Sequence, residues 1–386
     1  MTPAIIRDLG ETGVRVLVCH IETPDKSPPL GFYSKYVSER YTLPADGTID
    51  ALYDLCGKIS DNEGQRPALL PVGAATLAKL AVPGTAAKFS SVCGLCIPTS
   101  KQLKLLNDKG QVALLADSLD VPVPGSYTPA DGEQIESFFS RVPLPCVVKP
   151  RWGEGLGLTA ALRYTIAQTP EELSESFRAF SELAGEHPLV QEYLPGDGTG
   201  CSVLAKDGKI IRKICHKRVR EYPVSGGPST CCETLSDPRL GEWCTLLTEA
   251  VGLNGLAMFE FKTNAEGHPR LLEVNPRVWG SYPLTRVAKT GFTYAWFAVS
   301  RNAGNPNALI PVPTETDYLP RRMVFFPSDF AAARGYIHAK KTKLARGVVL
   351  DLLRPGVKDG LFEWGDVRPA LRYWRSLLKR SSHAGG

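Results

Sequence analysis

The chain has 386 residues, enough for two or three domains of ordinary size with buried cores. Hydrophobic residues make up 43% and charged residues 22%, the balance of a globular protein, and no run approaches the roughly 18 consecutive apolar residues of a membrane span. Lys and Arg number 45 against 40 Asp and Glu, and the surplus is local: residues 311–386 hold 14 basic and 7 acidic side chains.

Residues 1–8 carry neither a basic leader nor a long apolar stretch, so the expected location is the cytoplasm. Ten cysteines in such a setting read as reduced packing thiols rather than a disulfide scaffold. Cys93 and Cys96 form a lone CxxC without a second pair at zinc-ribbon spacing, and no structural metal is expected there.

Residues 2–13 read as a helix ended by Gly13, and 14–19 as a β-branched strand. A proline-rich loop follows, then helical spacing over 48–59 and a second strand over 68–72. Alternating strands and helices predict a parallel sheet. A doubly wound domain ordinarily opens on a strand, so its usual first strand is expected to be missing. Residues 101–119 read as one amphipathic helix, broken by Val-Pro-Val-Pro at 121–124. A short helix follows over 135–139, and strands over 146–150 and 158–164 flank a glycine-rich loop. Residues 171–183 form a helix with Thr169 as N-cap and Pro170 at its first position. From 189 to 291 the pattern is strand-rich, with strands at 189–193, 201–205, 209–215, 256–263 and 270–275. Hairpins are expected across Asp207-Gly208 and across 264–268.

Two motifs carry chemistry. Gly153, Gly155 and Gly157 follow a strand ending in Lys149, a loop whose amides can approach a phosphate. A Walker A loop is excluded, because the lysine precedes the glycines. Farther on, Glu273 and Asn275 lie two apart on one strand face, and Glu260 on the paired strand joins them. Two carboxylates and an amide oxygen suit Mg²⁺, and Lys262 and Arg277 lie beside them to balance phosphate charge. Arg218 and Arg220 are expected to share a strand face leading into the small-residue loop 226–230, a carboxylate or phosphate site. His216 reads as structural, and no Ser/His/Asp triad is indicated.

The order of Lys109, Lys149 with the glycine loop, the 191–196 segment Gln-Glu-Tyr-Leu-Pro-Gly, Glu260 and the 273–277 segment Glu-Val-Asn-Pro-Arg resembles the ATP-grasp superfamily of ligases, over nearly the whole chain to about residue 310. Residues 32–37, and 216–223 leading into 226–230, look like the carboxylate-amine ligase group that contains D-aspartate ligases. The resemblance implies an α/β fold, α+β in its catalytic part. A Rossmann-like pre-ATP-grasp domain would span 1–98, a lid subdomain 99–188, a catalytic subdomain 189–310 and a basic extension 311–386. It implies that Lys109 and Lys149 hold phosphates while the glycine loop closes over them. Gln191, Glu192 and Leu194 would read adenine at the hinge, with Asp197 on the ribose. Glu260, Glu273 and Asn275 would hold two Mg²⁺ ions, for which Mn²⁺ can substitute, and Arg277 would stabilise an acyl phosphate with Arg218, Arg220 and Lys262 as further cations. Acidic Glu154 in the lid and the missing first strand depart from that pattern.

The expected reaction is ATP-dependent coupling of a small-molecule carboxylate to an amine. A thiol or hydroxyl acceptor, simple phosphoryl transfer and a non-catalytic nucleotide-binding regulator are the alternatives, and a homodimer is compatible with each. Residues 367–380 read as a basic amphipathic helix, with Leu371, Trp374 and Leu378 on one face and Arg372, Arg375 and Lys379 elsewhere. Docking on the protein's own body is the first expectation and contact with a membrane surface or acidic partner the second. Nucleic acid is not expected, since the aromatic residues are not interleaved with the charges as stacking platforms would be.

Overall fold

The computed structural model describes residues 1–22, 28–152, 158, 162–224, 226–301 and 318–383. Helix α1 (Thr2–Glu11) begins with Pro3 in its first turn and ends before Gly13, whose φ of +79° turns the chain into β1 (Val16–Ile21). β1 pairs in parallel with β2 (Val37–Leu43). This strand was not anticipated, although Val37, Glu39, Tyr41 and Leu43 alternate around it and its two ends are buried. Helices α2 (Thr48–Glu63), α3 (Ala74–Leu80) and α4 (Pro83–Ser90) complete the region. Residues 68–72 do not form the expected strand: they bridge only at Ala68, to Gly94, between Pro67 and Pro71, which have no N–H to extend a ladder.

The expected long helix over 101–119 is two helices, α5 (Ser100–Asn107) and α6 (Lys109–Asp117). The break falls at Asp108, whose extended backbone and carboxylate cap α6 by accepting from Gly110 and Gln111 N–H at 2.8 and 3.1 Å. Next come β3 (Ser126–Tyr127), α7 (Ile135–Arg141), β4 (Cys146–Lys149), β5 (Thr165–Ala167), α8 (Pro170–Ala184) and β6 (Leu189–Glu192). Thr169 caps α8 through Glu172 N–H. The four strands run in the order β3-β6-β4-β5, all antiparallel, over a core of Phe138, Phe177, Leu173 and Val190. The partner of β4 is therefore 165–167. Residues 162–164, expected within a strand, are not in one, and 153–157 and 159–161 lie outside the described residues.

β7 (Asp197–Lys206) and β8 (Lys209–Glu221) meet across Asp207-Gly208, both at positive φ. β9 (Ser229–Thr234), α9 (Pro238–Val251), β10 (Gly255–Thr263) and β11 (Pro269–Asn275) follow. Ser229 and Thr230, expected in a loop, thus open a strand. Cys201, Val203 and Ala205 face one core with Leu240, Cys244 and Phe259, while Leu204 faces another with Ile214, Trp279 and α1. A sheet covered on both faces explains the unbroken burial of β7 from Thr199 to Ala205. All ten cysteines are free thiols, and only Cys19 is exposed.

After α10 (Pro283–Val287) and α11 (Phe292–Arg301), the segment expected as an extension joins this sheet: β12 (Arg322–Val324) pairs with β9. Helices α12 (Phe326–His338) and α13 (Thr342–Leu353) precede β13 (Lys358–Asp359), which lies parallel to β12. The sheet order among the described residues is β11-β10-β7-β8-β9-β12-β13. Asp366 ties the chain's two ends together, accepting from Arg7 Nε at 2.9 Å, Ser34 Oγ at 2.7 Å and Lys35 N–H at 2.9 Å. The final helix α14 (Arg368–His383) lies on the turn at Leu30–Tyr33, with Trp374 stacked on Phe362 and Arg372 over the Tyr33 ring. Its docked side differs from the expected stripe: Ala370 is buried and Leu371 is 41% exposed. The side chains of Leu378 and Lys379 lie outside the described residues. Among those described, no helix is long and apolar enough to cross a membrane.

Candidate active site

Antiparallel register sets Glu260 on β10 directly opposite Glu273 on β11, and Asn275 extends the same face. The Asn275 amide bridges the acids, donating to Glu260 at 3.3 Å and Glu273 at 3.2 Å. Two facing carboxylates repel each other, so cations gather around them. Lys109, at the start of α6, places Nζ 3.6 Å from Glu273, and Arg218 on β8 pairs with Glu260. Lys149, at the end of β4, is 9% exposed. Burial pushes its ammonium down to about 8, with Lys109 adding to the effect and Glu273 and Glu260 opposing it. Burial also raises the Glu273 carboxyl, but Lys109, Lys149 and the Asn275 hydrogen bond outweigh this and hold it at about 2. Glu260 moves up, chiefly through burial, with Arg218 opposing and Glu273 reinforcing. The site is thus a carboxylate pair inside a cage of three cations.

Asp108 organises the cage, and sequence reasoning passed over it. It caps α6 and accepts from the Arg151 guanidinium at 3.3 Å, while Lys109 N–H donates to the Arg151 carbonyl. Those bonds join α6 to the strand that leads into the glycine loop. The Asp-Lys-Gly-Gln run at 108–111 is a readable N-cap signal. Gly153, Gly155 and Gly157 themselves lie outside the described residues.

Arg277 follows the acidic strand, donating to Asn275 Oδ1 at 3.2 Å and to the Val278 carbonyl at 3.1 Å. It also lines a cleft of about 210 Å³ with Trp152, Leu77 of α3 and Leu103 and Lys104 of α5. Lys262 stands farther along β10, across from Arg270 and Gly198. Arg218 also bonds Ser229 Oγ and Glu221, both at 3.1 Å.

Arg220 does not join this group. The β8–β9 register shifts between Arg218 and Arg220, so the two arginines do not share the expected face. Arg220 is 2% exposed and bonds Asp329 of α12 and Asp351 of α13. In the segment expected to form a hinge, Gln191 is buried and donates to Ser126 Oγ, and Glu192 bonds Arg270 at 2.6 Å. The ladder ends at Glu192, and Tyr193 and Leu194 leave the sheet. Gly196, at φ +147°, passes so close to Thr263 that a Cβ there would meet its carbonyl oxygen at 2.1 Å. Asp197 pairs with Lys217 at 2.7 Å. His216 is buried and its imidazole is pushed down to about 4, by burial and then by Arg218.

The fold is similar to that of solved structures. Biotin carboxylase from Campylobacter jejuni, in a complex with β-γ-ATP, aligns with a TM-score of 0.63 at 13% identity, over 83% of this chain and 72% of that one. The fold is ATP-grasp. The L-amino acid ligase of Bacillus licheniformis aligns with a TM-score of 0.50 at 16% identity, over 77% of this chain and 71% of that one. Residues 185–320 match the model of a family described as ATP-grasp in the biosynthetic pathway with Ter operon. The carbamoyl phosphate synthase large chain of Sulfurisphaera tokodaii is 23% identical over 133 residues, 34% of this chain and 12% of that protein. These matches show the fold, and residues 185–320 are similar to an ATP-grasp family. They do not reach the narrower group with the D-aspartate ligases.

Proposed function

We propose that the protein is an ATP- and Mg²⁺-dependent ligase that activates a small-molecule carboxylate as an acyl phosphate and couples it to an amine, as in the D-aspartate ligase group. The observation that carries this reading is the paired Glu260 and Glu273 inside a cage of Lys109, Lys149 and Arg218, with Arg277 between the acids and a cleft. The family described as biosynthetic supports a small-molecule product.

The donors are two carboxylates and an amide oxygen, with no sulfur or imidazole, a hard set that fits Mg²⁺ or Mn²⁺. Glu260, Glu273 and the amide oxygen of Asn275 would hold the ions. When bound, the ions supply positive charge to phosphate oxygens.

Lys109 and Lys149 bind phosphates, and the low ammonium pKa of Lys149, about 8, gives that lysine a strong preference for an anion beside it. The phosphate-covering role expected of the glycine loop falls on 153–157, outside the described residues. Gln191, Glu192 and Leu194 form the adenine hinge, with Asp197 at the ribose. An oxygen of the substrate carboxylate attacks the γ-phosphorus, the bond from that phosphorus to the β-γ bridging oxygen breaks, and ADP leaves. Arg277, Arg218 and Lys262 neutralise the oxygens in transit. The amine then attacks the acyl carbonyl, phosphate departs, and the amine's surplus proton passes to solvent.

Hydroxylamine tests this directly, because it accepts the acyl group from any acyl phosphate. ADP and hydroxamate formed together, only when a carboxylic acid is present, are the expected products. ADP release without hydroxamate under every acid would sink the acyl-phosphate step.

A further inference from the structure

Helices α12 and α13 pack together as a hairpin joined by residues 339–341. Residues 326–354 contain two acids, Asp329 and Asp351, and six lysines and arginines. Both acids point into the body. Asp329 accepts from Arg220 at 2.6 Å and from Thr230 Oγ1 at 2.7 Å, and Asp351 pairs with Arg220 at 2.8 Å and Arg322 at 2.9 Å. Arg334, Lys340, Lys341, Lys343, Arg346 and Arg354 are all exposed. The hairpin thus keeps its own negative charge inside and turns its positive charge outward.

The outward side is also apolar. Ala332, Tyr336 and Ala345 bury the inner side with Val224 and Leu344. On the outer side Phe330, Arg334 and Ile337 recur at helical spacing along α12, and Arg346, Val349, Leu350 and Leu353 along α13. Ile337 is 61%, Leu350 65% and Leu353 78% exposed. Large apolar side chains grouped on a surface and rimmed by cations mark an interaction face. Each stripe runs about 10 Å at roughly 1.5 Å per residue, and packed helices lie about 8–10 Å apart, so the two stripes form one face.

Charge selects the occupant. A second copy of the chain related by a two-fold axis would bring the same cations against each other, and like charges repel. An acidic protein would also need a surface shaped to five separated side chains, Phe330, Ile337, Val349, Leu350 and Leu353. An anionic bilayer needs no such shape. Its acyl boundary receives the apolar side chains, while lysine and arginine stems lie along that boundary and their charged ends reach the headgroups. The basic helix α14 is placed differently, with Arg372 over Tyr33 and Trp374 stacked on Phe362 of the body.

We propose that the outer face of α12 and α13 is a peripheral docking site for an anionic lipid surface. The inference stands on this face alone and is independent of the ligase reading.

Flotation of the full chain with vesicles of phosphatidylserine and phosphatidylcholine in equal parts, at about 0.1 M salt, tests it beside pure phosphatidylcholine. Binding at least tenfold tighter to the mixed vesicles is expected. Leu350→Ser with Leu353→Ser leaves every cation in place and is expected to weaken that binding at least tenfold, as is Lys343→Glu with Arg346→Glu. Arg368→Glu with Arg375→Glu on α14 changes the net charge equally and is expected to weaken it less than threefold. All six positions are exposed, so unchanged urea midpoints confirm that each variant is folded. Equal binding to both vesicles, a double-serine variant that binds like the natural protein, or an equal loss in the α14 variant would overturn the proposal. So would a natural protein that ignores vesicles but uses Leu350 and Leu353 to dimerise in sedimentation equilibrium, or to bind an acidic amphipathic peptide of leucine and glutamate. The first result would make the face a contact between copies, and the second a seat for an acidic protein.

Discussion

Glu273 is the residue on which the site's charges converge, with Lys109 and Asn275 in contact and Lys149 close enough to lower its pKa. Glu273→Gln keeps the size and the Asn275 contact but removes the negative charge. Mg²⁺-dependent ADP release should fall by about 100-fold or more, with an unchanged circular dichroism spectrum and unfolding midpoint within about 1 kcal/mol. Full activity in this variant would remove Glu273 from the metal site. His216 makes a different prediction, about pH. Its folded imidazole is pushed down to about 4 from the ordinary 6.5, so the stability of burying it neutral is complete above the unfolded value. That stability is lost as pH falls from about 6.5 toward 4, a loss of about 3 kcal/mol. Urea midpoints at pH 7 and pH 4.5 should therefore drop less for His216→Gln than for the natural protein. Equal drops would show that another group carries the acid sensitivity.

At the scale of elements, the junction of α5 and α6 decides where Lys109 stands. Asp108→Ala removes an N-cap, worth about 1 kcal/mol, and also the partner of Arg151. The expected result is a modest loss of stability with a several-fold rise in KM for ATP, measured by ADP release under saturating acid. A KM unchanged beside the expected stability loss would confine Asp108 to capping. The N-cap signal at 108–111 is outweighed in the sequence because 101–119 keeps apolar residues at helical spacing on both sides of it. The Arg151 guanidinium, 43 residues away, donates to Asp108 and holds the restart in place. Strand β8 shows the complementary case. Its alternation places Arg218 and Arg220 on one face, and a bulge, which depends on the partner strand, sends Arg220 to Asp329 and Asp351.

Across the whole molecule, the two ends of the chain hold each other. Arg7 and Asp366 are 359 residues apart and both buried, and a buried ion pair that loses one partner costs about 3–5 kcal/mol. Asp366→Ala should lower stability by that order in urea unfolding and expose α14 to protease at lower denaturant than in the natural protein. Unchanged cleavage would mean that the stacking of Trp374 on Phe362 holds the helix by itself. The basic surplus of residues 311–386 is distributed by the same packing. Arg322 is spent on Glu233 and Asp351, and Arg372 lies on Tyr33, so the segment is part of the body.

The sequence by itself determined the local, periodic features: the covered strands of the central sheet, the hairpin carrying Glu260, Glu273 and Asn275, the Thr169 cap and the glycine that ends α1. These depend on neighbours two to four residues apart, and such spacing is written in the chain. Tertiary structure alone decided that β2 pairs beside β1. It also decided that Arg220 leaves the site and that Asp108 joins it. Each of those outcomes turns on a partner far along the chain, and a one-dimensional pattern does not encode which distant group will satisfy a buried charge.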